Sequence, residues 1–258
     1  TFTRYYHSLG QFRNNPDFAI GWTHTYSDRI DGYAGAASVA VVDDQGYFES
    51  YVSIGNGRYR GDSSVDRILE SVNDGDVVWR LRYPDGELRE FNLGGRLIAV
   101  RNPQKPLEDV ALAYIGELLT TVTDAQGRQL RFEYANGMLN RIVKPDGAAV
   151  TYAYDADLNL TSVDYGNGIR LYHYHEIGFA DPKFANHLTG ITDEFSQRHA
   201  TFTYDSKGRV IESRIHGTPE EITTAAYPSE TQATIVTANG EARQYTIQPG
   251  LYRQVSSV

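Results

Sequence analysis

The sequence predicts an all-β protein, a curved antiparallel sheet made of repeats about twenty residues long. Three observations predict it: tyrosines recur at a fixed interval, apolar and polar residues alternate between them, and turns rich in Gly, Asn and Asp separate the alternating stretches. The 19 tyrosines and 10 phenylalanines suit pleated strands. A chain of 258 residues can bury a sizeable core in one domain or two.

The N-terminal part predicts hairpins of irregular length. The stretch 37–54, "ASVAVVDDQGYFESYVSI", reads as strand, turn and strand, and 67–100 reads as four strands joined by "NDGD", "PDG" and "GG". In "VWRLRY" the alternation places Trp79, Leu81 and Tyr83 on one side of a strand. These hairpins extend the predicted sheet upstream of the regular repeats.

Two segments could instead be helical, "SSVDRILESV" at 63–72 and "LEDVALAYIGELL" at 107–119. In the second segment, Leu119 occupies the place that Leu139 holds one repeat later. We therefore predict that both are mostly strand.

Tyrosines mark the regular repeats. They stand twenty residues apart, and the last follows after thirty: Tyr114, Tyr134, Tyr154, Tyr174 and Tyr204. The ten additional residues are "IGFADPKFAN" at 177–186, which we expect to form a loop-like insert. Within a repeat the alternation places Leu130, Phe132 and Tyr134 on one face. One repeat departs from this pattern, because Arg170 takes the place that Leu130 holds. We expect the aromatic residues to form one packed face.

Tight turns separate the strands of each repeat. "ANG" at 135–137, "PDG" at 145–147 and "GNG" at 166–168 supply residues that tolerate a positive φ, and Asn239-Gly240 predicts one further hairpin near the end. Each repeat is therefore two short strands and two turns. The substitution Gly147→Val should disrupt a required turn and lower stability.

The sequence predicts a single domain over 1–258, with irregular hairpins in 1–102 and regular repeats followed by a final hairpin in 103–258. Pro103 and Pro106 mark the seam between these two parts. No low-complexity tract or charge block divides the chain further.

Composition excludes several classes of function. The net charge of −9 argues against nucleic acid or an anionic membrane as partner, because binding phosphate needs an excess of Lys and Arg. The absence of cysteine excludes disulfides, thiolate nucleophiles and Cys-ligated metals. No apolar run approaches the roughly 18 residues of a membrane span.

The segment "YDSKGRV" at 204–210 resembles the YD repeat of the Rhs family, in which Tyr-Asp-x-x-Gly-Arg-Leu is followed by a short strand. The matching residues are Tyr204, Asp205, Gly208 and Arg209. The pair Tyr154–Asp155 also matches, but Leu158 and Asn159 replace the Gly-Arg, and the repeats at Tyr114 and Tyr134 lack the Asp. "FTRYYHS" at 2–8 and "GWTHTYS" at 21–27 resemble the segment that opens an Rhs core.

This resemblance implies a function. Rhs and YD-repeat proteins wind a β-sheet into a hollow shell, and many are bacterial polymorphic toxins whose shell holds a C-terminal toxin domain until delivery, often by type VI secretion or at the cell surface. The chain would then be an open segment of such a β-cocoon or barrel-like shell, from near its start, in a secreted or surface protein. The expected partners are the remainder of a longer Rhs polypeptide and its toxin cargo, or further copies that associate through edge strands.

The resemblance stops short of the family's self-cleavage segment, Asp-Pro-x-Gly. Its nearest look-alike is "DPKF" at 181–184, in which Phe184 stands in place of the glycine. We also find no toxin domain behind the repeats and no spike-binding domain before them.

A calcium loop is the first metal site that the sequence suggests. Asp155, Asp157 and Asn159 have the spacing that begins such a loop, but its sixth and twelfth places hold Leu160 and Gly166 instead of glycine and a carboxylate. We interpret the segment as an ordinary polar turn.

A zinc site is the second metal site that the sequence suggests. His173 and His175 share one face of a predicted strand, and His187 or His199 could supply a third ligand. We favour the alternative that Tyr172 and Tyr174 face the core while the two histidines face away from it.

No motif indicates an enzyme. The sequence contains no Gly-x-Ser-x-Gly elbow, Walker loop or His-Glu-x-x-His helix, and "GNGRYR" at 55–60 departs from a dinucleotide fingerprint at Arg60. Most carboxylates lie in turn motifs, so none is nominated for a catalytic pair. We expect no catalytic, cofactor-binding or metal-binding residues.

The sequence thus predicts a shell segment that encloses or displays a toxin or effector polypeptide. The alternative is a surface adhesin whose repeat face binds a glycan or receptor, and exposed rows of aromatic side chains would favour it. A third interpretation is a metal-dependent hydrolase centred on His173 and His175.

Overall fold

The computed structural model describes residues 1–8, 17–61, 66–248 and 254–257. They belong to two compact units, an N-terminal unit of residues Thr1–Val150 and a C-terminal unit of residues Thr151–Val258. Among these residues there is no α-helix, only the short 3₁₀ turn Pro106–Glu108. Every strand pairing that they form is antiparallel, which confirms the predicted all-β fold class. The prediction of a single domain over 1–258 stays a prediction.

The strands of the N-terminal unit are β1 Arg4–Tyr6, β2 Trp22–His24, β3 Arg29–Asp31, β4 Ser38–Val42, β5 Phe48–Gly55, β6 Arg58–Gly61, β7 Ile68–Asp74, β8 Val77–Arg82, β9 Leu88–Phe91, β10 Leu97–Arg101, β11 Val110–Ile115, β12 Leu118–Asp124, β13 Gln129–Ala135 and β14 Met138–Val143. β1 and β2 pair as a separate two-stranded sheet. From β3 to β14, each strand pairs with the next one along the chain.

The strands of the C-terminal unit are β15 Ala149–Tyr154, β16 Leu160–Asp164, β17 Ile169–His173, β18 Gly190–Thr192, β19 Arg198–Tyr204, β20 Val210–Ile215, β21 Glu221–Ser229, β22 Gln232–Val236, β23 Ala242–Gln248 and β24 Gln254–Ser257. Here too each strand pairs with the next along the chain. The predicted hairpin around Asn239-Gly240 joins β22 and β23.

Both segments with possible helical character are mostly strand where the structure describes them, although the second begins in the 3₁₀ turn. β7 covers the second half of the first segment, of which residues 63–65 lie outside the described residues. β11 and β12 form a hairpin over the second. In β11 the burial follows a period of two, since Leu112 is buried between the exposed Ala111 and Ala113.

The predicted aromatic face is the buried face. Phe132, Tyr152 and Tyr172 are each exposed by 6% or less, whereas Arg131 and Glu133, the neighbours of Phe132 in the chain, are exposed. The alternate side chains of a strand point to opposite faces, so the aromatic residues pack inside while the charged ones meet water.

Four of the five repeat tyrosines lie at an irregularity in their strands. The register shifts immediately before Tyr114, Tyr134, Tyr154 and Tyr204, which marks a β-bulge at the same place in these four repeats. A bulge re-aims the side chain that follows it. The tyrosine hydroxyl thereby reaches the backbone of the preceding repeat.

Four tyrosine hydroxyls donate to a backbone carbonyl 15 to 17 residues earlier, at 2.7 to 2.8 Å: Tyr114 to Leu97, Tyr134 to Leu119, Tyr204 to Leu188 and Tyr227 to Val210. We call these contacts the tyrosine ties. A buried hydroxyl needs such a partner, and here the partner always belongs to the previous hairpin. The ties therefore couple neighbouring repeats.

The N-terminal segment fills part of the core of its own unit. The rings of Phe2 and Tyr26 pack against Phe132 with centroids 5.7 and 6.5 Å away, and the backbone N–H of Leu139 donates to the carbonyl of Asp17 at 2.7 Å. Aromatic pairs at these separations add to the energy of burial. This segment is thus a packed part of the N-terminal unit.

Candidate functional site

One turn recurs throughout the chain and explains the Asp of the repeat. In five copies an aspartate Oδ1 accepts the backbone N–H groups two and four residues later, at 2.8 to 3.1 Å. The aspartates are Asp43, Asp124, Asp155, Asp193 and Asp205. The carboxylate satisfies donors that the hairpin itself leaves unpaired, so its role in these turns is structural.

The fourth residue of this turn has a left-handed backbone, with φ between 61° and 82°. Glycine occupies the place in three copies, but Leu158 and Ser196 occupy it in two. The hydrogen bonds of the aspartate outweigh the steric cost of a side chain there, which is about 1–2 kcal/mol. The replacement of Gly by Leu158, noted in the sequence, therefore leaves the turn intact.

In two copies of the turn the fifth residue is an arginine, and its side chain donates a hydrogen bond to the other carboxylate oxygen. Arg128 Nε donates to Asp124 Oδ2 at 2.7 Å, and Arg209 Nε donates to Asp205 Oδ2 at 2.8 Å. Burial alone would raise the pKa of Asp205, but the hydrogen bonds from Arg209 hold it below its usual range. These arginines serve the turn, and their contacts show no feature of a binding site.

Asn159 takes the place of that arginine where the insert lies. Its Nδ2 donates to Asp155 Oδ2 at 2.9 Å and to the carbonyl of Ala185 at 3.1 Å, and its Oδ1 accepts from Asn186 Nδ2 at 2.8 Å. An amide can donate and accept at once, whereas a guanidinium only donates. Asn159 is completely buried and fastens the insert to the turn.

The insert is fastened to a second copy of the turn at its other side. His187 is completely buried, its ring stacks on Phe184, and its Nε2 lies 3.0 Å from the carbonyl oxygen of Gly208. The N–H of Tyr204 donates to the carbonyl of Phe179 at 2.7 Å. The insert predicted as a loop is therefore a packed element between the turns at 155–159 and 205–209.

The residues of the suggested calcium loop are engaged in these hydrogen bonds. Asp155 Oδ1 accepts two backbone N–H groups, and both polar atoms of the Asn159 side chain have partners within the protein. The arrangement is that of the polar turn we favoured from the sequence.

The suggested zinc ligands go to different places. His173 ends β17 and its Nε2 lies 2.8 Å from Thr192 Oγ1, while His187 faces Gly208 and His199 is exposed. His175 leaves the strand with φ 58° and lies with its Nε2 3.3 Å from Asp157 Oδ2. The alternation assumed from the sequence ends at His173.

One group of possible metal ligands occurs among the described residues. Single ligand atoms of Asp155, Asp157 and His175 all lie within 4.8 Å of one another. Oxygen and nitrogen ligands of this kind suit Zn²⁺. Because Asp155 is already fixed by the turn and the other two side chains are exposed, the group shows no built metal site.

The N-terminal unit buries a second polar cluster, which the sequence did not indicate. Both Asp28 oxygens accept from Arg89 Nη1 at 2.8 and 2.9 Å, and the Arg89 guanidinium lies 4.9 Å from the centre of the Tyr83 ring. Burial raises the pKa of Asp28 to about 7, although Arg89 opposes the shift. The partners are 61 residues apart, so no local pattern could have predicted the pair.

No helix within the described part of the chain is long and apolar enough to cross a membrane.

The fold and the repeated turn thus define an all-β repeat protein whose aspartates and tyrosines serve its architecture. Within it, the family model described as RHS Repeat matches residues 116–149, which contain β12, β13 and the Tyr134 tie. This segment is an RHS repeat, which confirms the resemblance recognised in the sequence. No curated protein matches the chain.

Three solved structures match most of this chain at low similarity. "Crystal Structure of TcdB2-TccC3-TEV" matches with a TM-score of 0.32 and 12% identity over 85% of this chain. "Crystal Structure of TcdB2-TccC3-Cdc42" matches with 0.30 and 11% over 84%, and "Structure of Photorhabdus luminescens Tc holotoxin pore, Mutation TccC3-D651A" with 0.29 and 10% over 85%. This chain spans 15% to 20% of the length of those chains.

Proposed function

We propose that this chain is a structural YD-repeat segment of a bacterial Rhs-type protein, in which it encloses or displays a toxin or effector polypeptide and catalyses nothing itself. The RHS repeat at residues 116–149 supports the family context. The tyrosine ties carry the structural part of the proposal, because in them the tyrosine hydroxyls form hydrogen bonds that join one hairpin to the next.

The mechanism would be sequestration. A folded wall separates the cargo from its targets and keeps proteases away from it. Aromatic side chains buried within the wall cannot also stack on a ligand, so the aromatic residues of the repeats supply the stability of the wall. Its partners would be the rest of a longer Rhs polypeptide with its cargo, or further copies paired along edge strands.

Polymorphic-toxin biology, delivery by type VI secretion, and a secreted or surface location belong to the same proposal and rest on the family resemblance. The adhesin alternative receives less support from the structure. The most exposed aromatic side chains, Tyr33, Tyr47 and Phe195, lie in separate parts of the chain and form no row along one strand.

The proposal is tested on the longest natural polypeptide that contains residues 1–258, by limited proteolysis followed by mass spectrometry. We expect a stretch outside these residues to resist cleavage. In the variant Gly208→Ala, which should weaken the wall, the same stretch should become sensitive. Tyr33→Phe, a change at an exposed side chain, is the matched control and should leave the protection unchanged.

Equal cleavage of every stretch outside residues 1–258 in the natural protein and in Gly208→Ala would overturn the proposal. A protected stretch that carries toxic activity after release would identify the cargo.

A further inference from the structure

A cavity of about 310 Å³ lies in the N-terminal unit, where β3 approaches the turn between β9 and β10. The N–H of Ile30 donates to the carbonyl of Gly95 at 2.8 Å, and Arg29 forms an isolated antiparallel bridge with Arg96. Seven residues between Asp17 and Asp31 line the space, together with Gly94, Arg96, Tyr114 and Leu119. Its volume is at the small end of ligand pockets in proteins.

The charged side chains that line the cavity leave one negative charge unpaired. Asp28 pairs with Arg89, Asp31 with Arg29, and Arg96 with Glu117. Asp17 is the charged group of the lining that forms no ion pair with the residues that the structure describes, although the positive charge of Arg96 acts on it.

Asp17 is the group in the lining that is best suited to bind a ligand. Its side chain is only 9% exposed, and its Oδ1 is buried without a hydrogen-bond partner among the residues that the structure describes. A buried carboxylate oxygen without a partner is costly, and burial accordingly raises the pKa of Asp17. A cation beside it would remove this cost.

The two phenol groups of the cavity offer acceptors. Tyr26 and Tyr114 donate their hydroxyl hydrogens to the carbonyls of Thr1 and Leu97, at 3.0 and 2.8 Å, so each phenol oxygen retains lone pairs but no hydrogen to donate. A ligand suited to this lining must therefore donate hydrogen bonds and carry a positive charge.

We infer that the cavity binds a primary ammonium group on a short apolar body, with Asp17 as its counter-ion. An ammonium has three donors and no acceptor, which matches Asp17 and the two phenol oxygens. Leu119 offers apolar surface to the alkyl part. The ammonium comes from a free alkylamine or from the lysine side chain of another polypeptide, and both have the same chemistry.

Binding is measured by isothermal titration calorimetry of the whole chain with n-butylammonium chloride, and with n-butanol as the neutral compound of the same size. We expect n-butylammonium to bind and n-butanol to bind at least tenfold more weakly, because a hydrogen bond to a charged group is worth roughly ten- to a hundredfold in affinity.

The variant Asp17→Asn keeps the shape of the side chain and removes its charge, and it should weaken n-butylammonium at least tenfold. The matched control is Asp66→Asn, which removes the same charge from an exposed site and should change the affinity less than twofold. Circular dichroism confirms folding of each variant, and Asp17→Ser replaces Asp17→Asn should the latter not fold.

A lysine tripeptide with blocked ends and its Nζ-acetylated form distinguish the two sources. Binding of the free lysine peptide and not of the acetylated one assigns the cavity to a lysine side chain, whereas binding of n-butylammonium alone assigns it to a free amine. The inference is wrong if n-butanol binds as well as n-butylammonium, if Asp17→Asn binds unchanged, or if no amine binds.

Discussion

The regular repeats at 110–143 and the insert-bearing repeats at 155–209 use the same turn and the same tyrosine tie, yet they differ in what lies on the turn. In the regular repeats, the turn that begins at Asp124 ends in Arg128, whose side chain is 65% exposed. In the insert-bearing repeats, the fifth place of the first turn holds Asn159 and the fourth place of the second holds Gly208, and the insert and the adjoining His187 pack on them. A turn that only reverses the chain tolerates many residues, whereas a turn that also receives another segment does not.

Gly208→Ala should give the largest effect. A Cβ at this position would meet His187 Nε2 at 2.8 Å, and φ is 77°. The left-handed backbone and the overpacking together should cost about 3 kcal/mol of unfolding free energy. Urea denaturation measures the loss.

Gly147→Ala is the matched control for that variant. Gly147 has a φ of 85°, but its Cβ would meet nothing within 4 Å. Only the backbone cost of roughly 1 kcal/mol should remain, and the loss predicted for Gly147→Val has the same cause. Equal losses in Gly147→Ala and Gly208→Ala would show that the insert adds nothing to the requirement for glycine.

Asn159→Ala should give the next largest loss of unfolding free energy. It removes the hydrogen bonds to the carbonyl of Ala185 and from the amide of Asn186 at a completely buried side chain, which should cost about 2–3 kcal/mol. Arg128→Ala removes the equivalent side chain from the exposed turn and should cost less than about 0.5 kcal/mol. Similar losses for both variants, in the same denaturation experiment, would contradict the difference between the two turns.

Histidine protonation extends the comparison to the N-terminal segment. Burial lowers the pKa of His24 from its ordinary value of 6.5 to about 3, so only the unfolded chain takes up the proton between these values. Stability from this group is therefore lost as the pH falls below 6.5, by about 2 kcal/mol between pH 7 and pH 5.

The variant His24→Asn keeps an acceptor for the N–H of Tyr26, which His24 Nδ1 receives at 3.2 Å, and removes the titration. The stability of the natural protein relative to this variant should fall by about 2 kcal/mol between pH 7 and pH 5, measured by urea denaturation at both values. A difference that does not change with pH would place His24 in contact with water.

Much of the fold could be predicted because its signals are local. Alternation over a few residues predicts strands, as at Phe132, and the pairs of Gly with Asn or Asp predict the turns, as at Gly147. The resemblance to YD repeats was strongest at 204–210, but the family model matches 116–149, where no Asp follows Tyr134 although Asp124 begins a copy of the same turn. The tyrosine tie and the spacing persist there without an Asp after Tyr134.

What could not be predicted depends on long-range contacts. The pair of Asp28 and Arg89 joins residues far apart in the sequence, and the packing of Phe2 on Phe132 depends on the path of the N-terminal segment. Tyr227 was missed because the spacing of twenty does not reach it, although its hydroxyl makes the same tie as the others. Short-range patterns contain no information about such contacts.

The central claim is that one tyrosine contact recurs along the chain and couples successive hairpins. It is tested most directly by the unfolding free energies of Tyr114→Phe, Tyr134→Phe, Tyr204→Phe and Tyr227→Phe, with Tyr33→Phe as the exposed control. Each of the four should lose about 1 kcal/mol, since each removes one hydrogen bond to a backbone carbonyl, and the control should not change. Losses confined to a single position, or no larger than in the control, would contradict the claim.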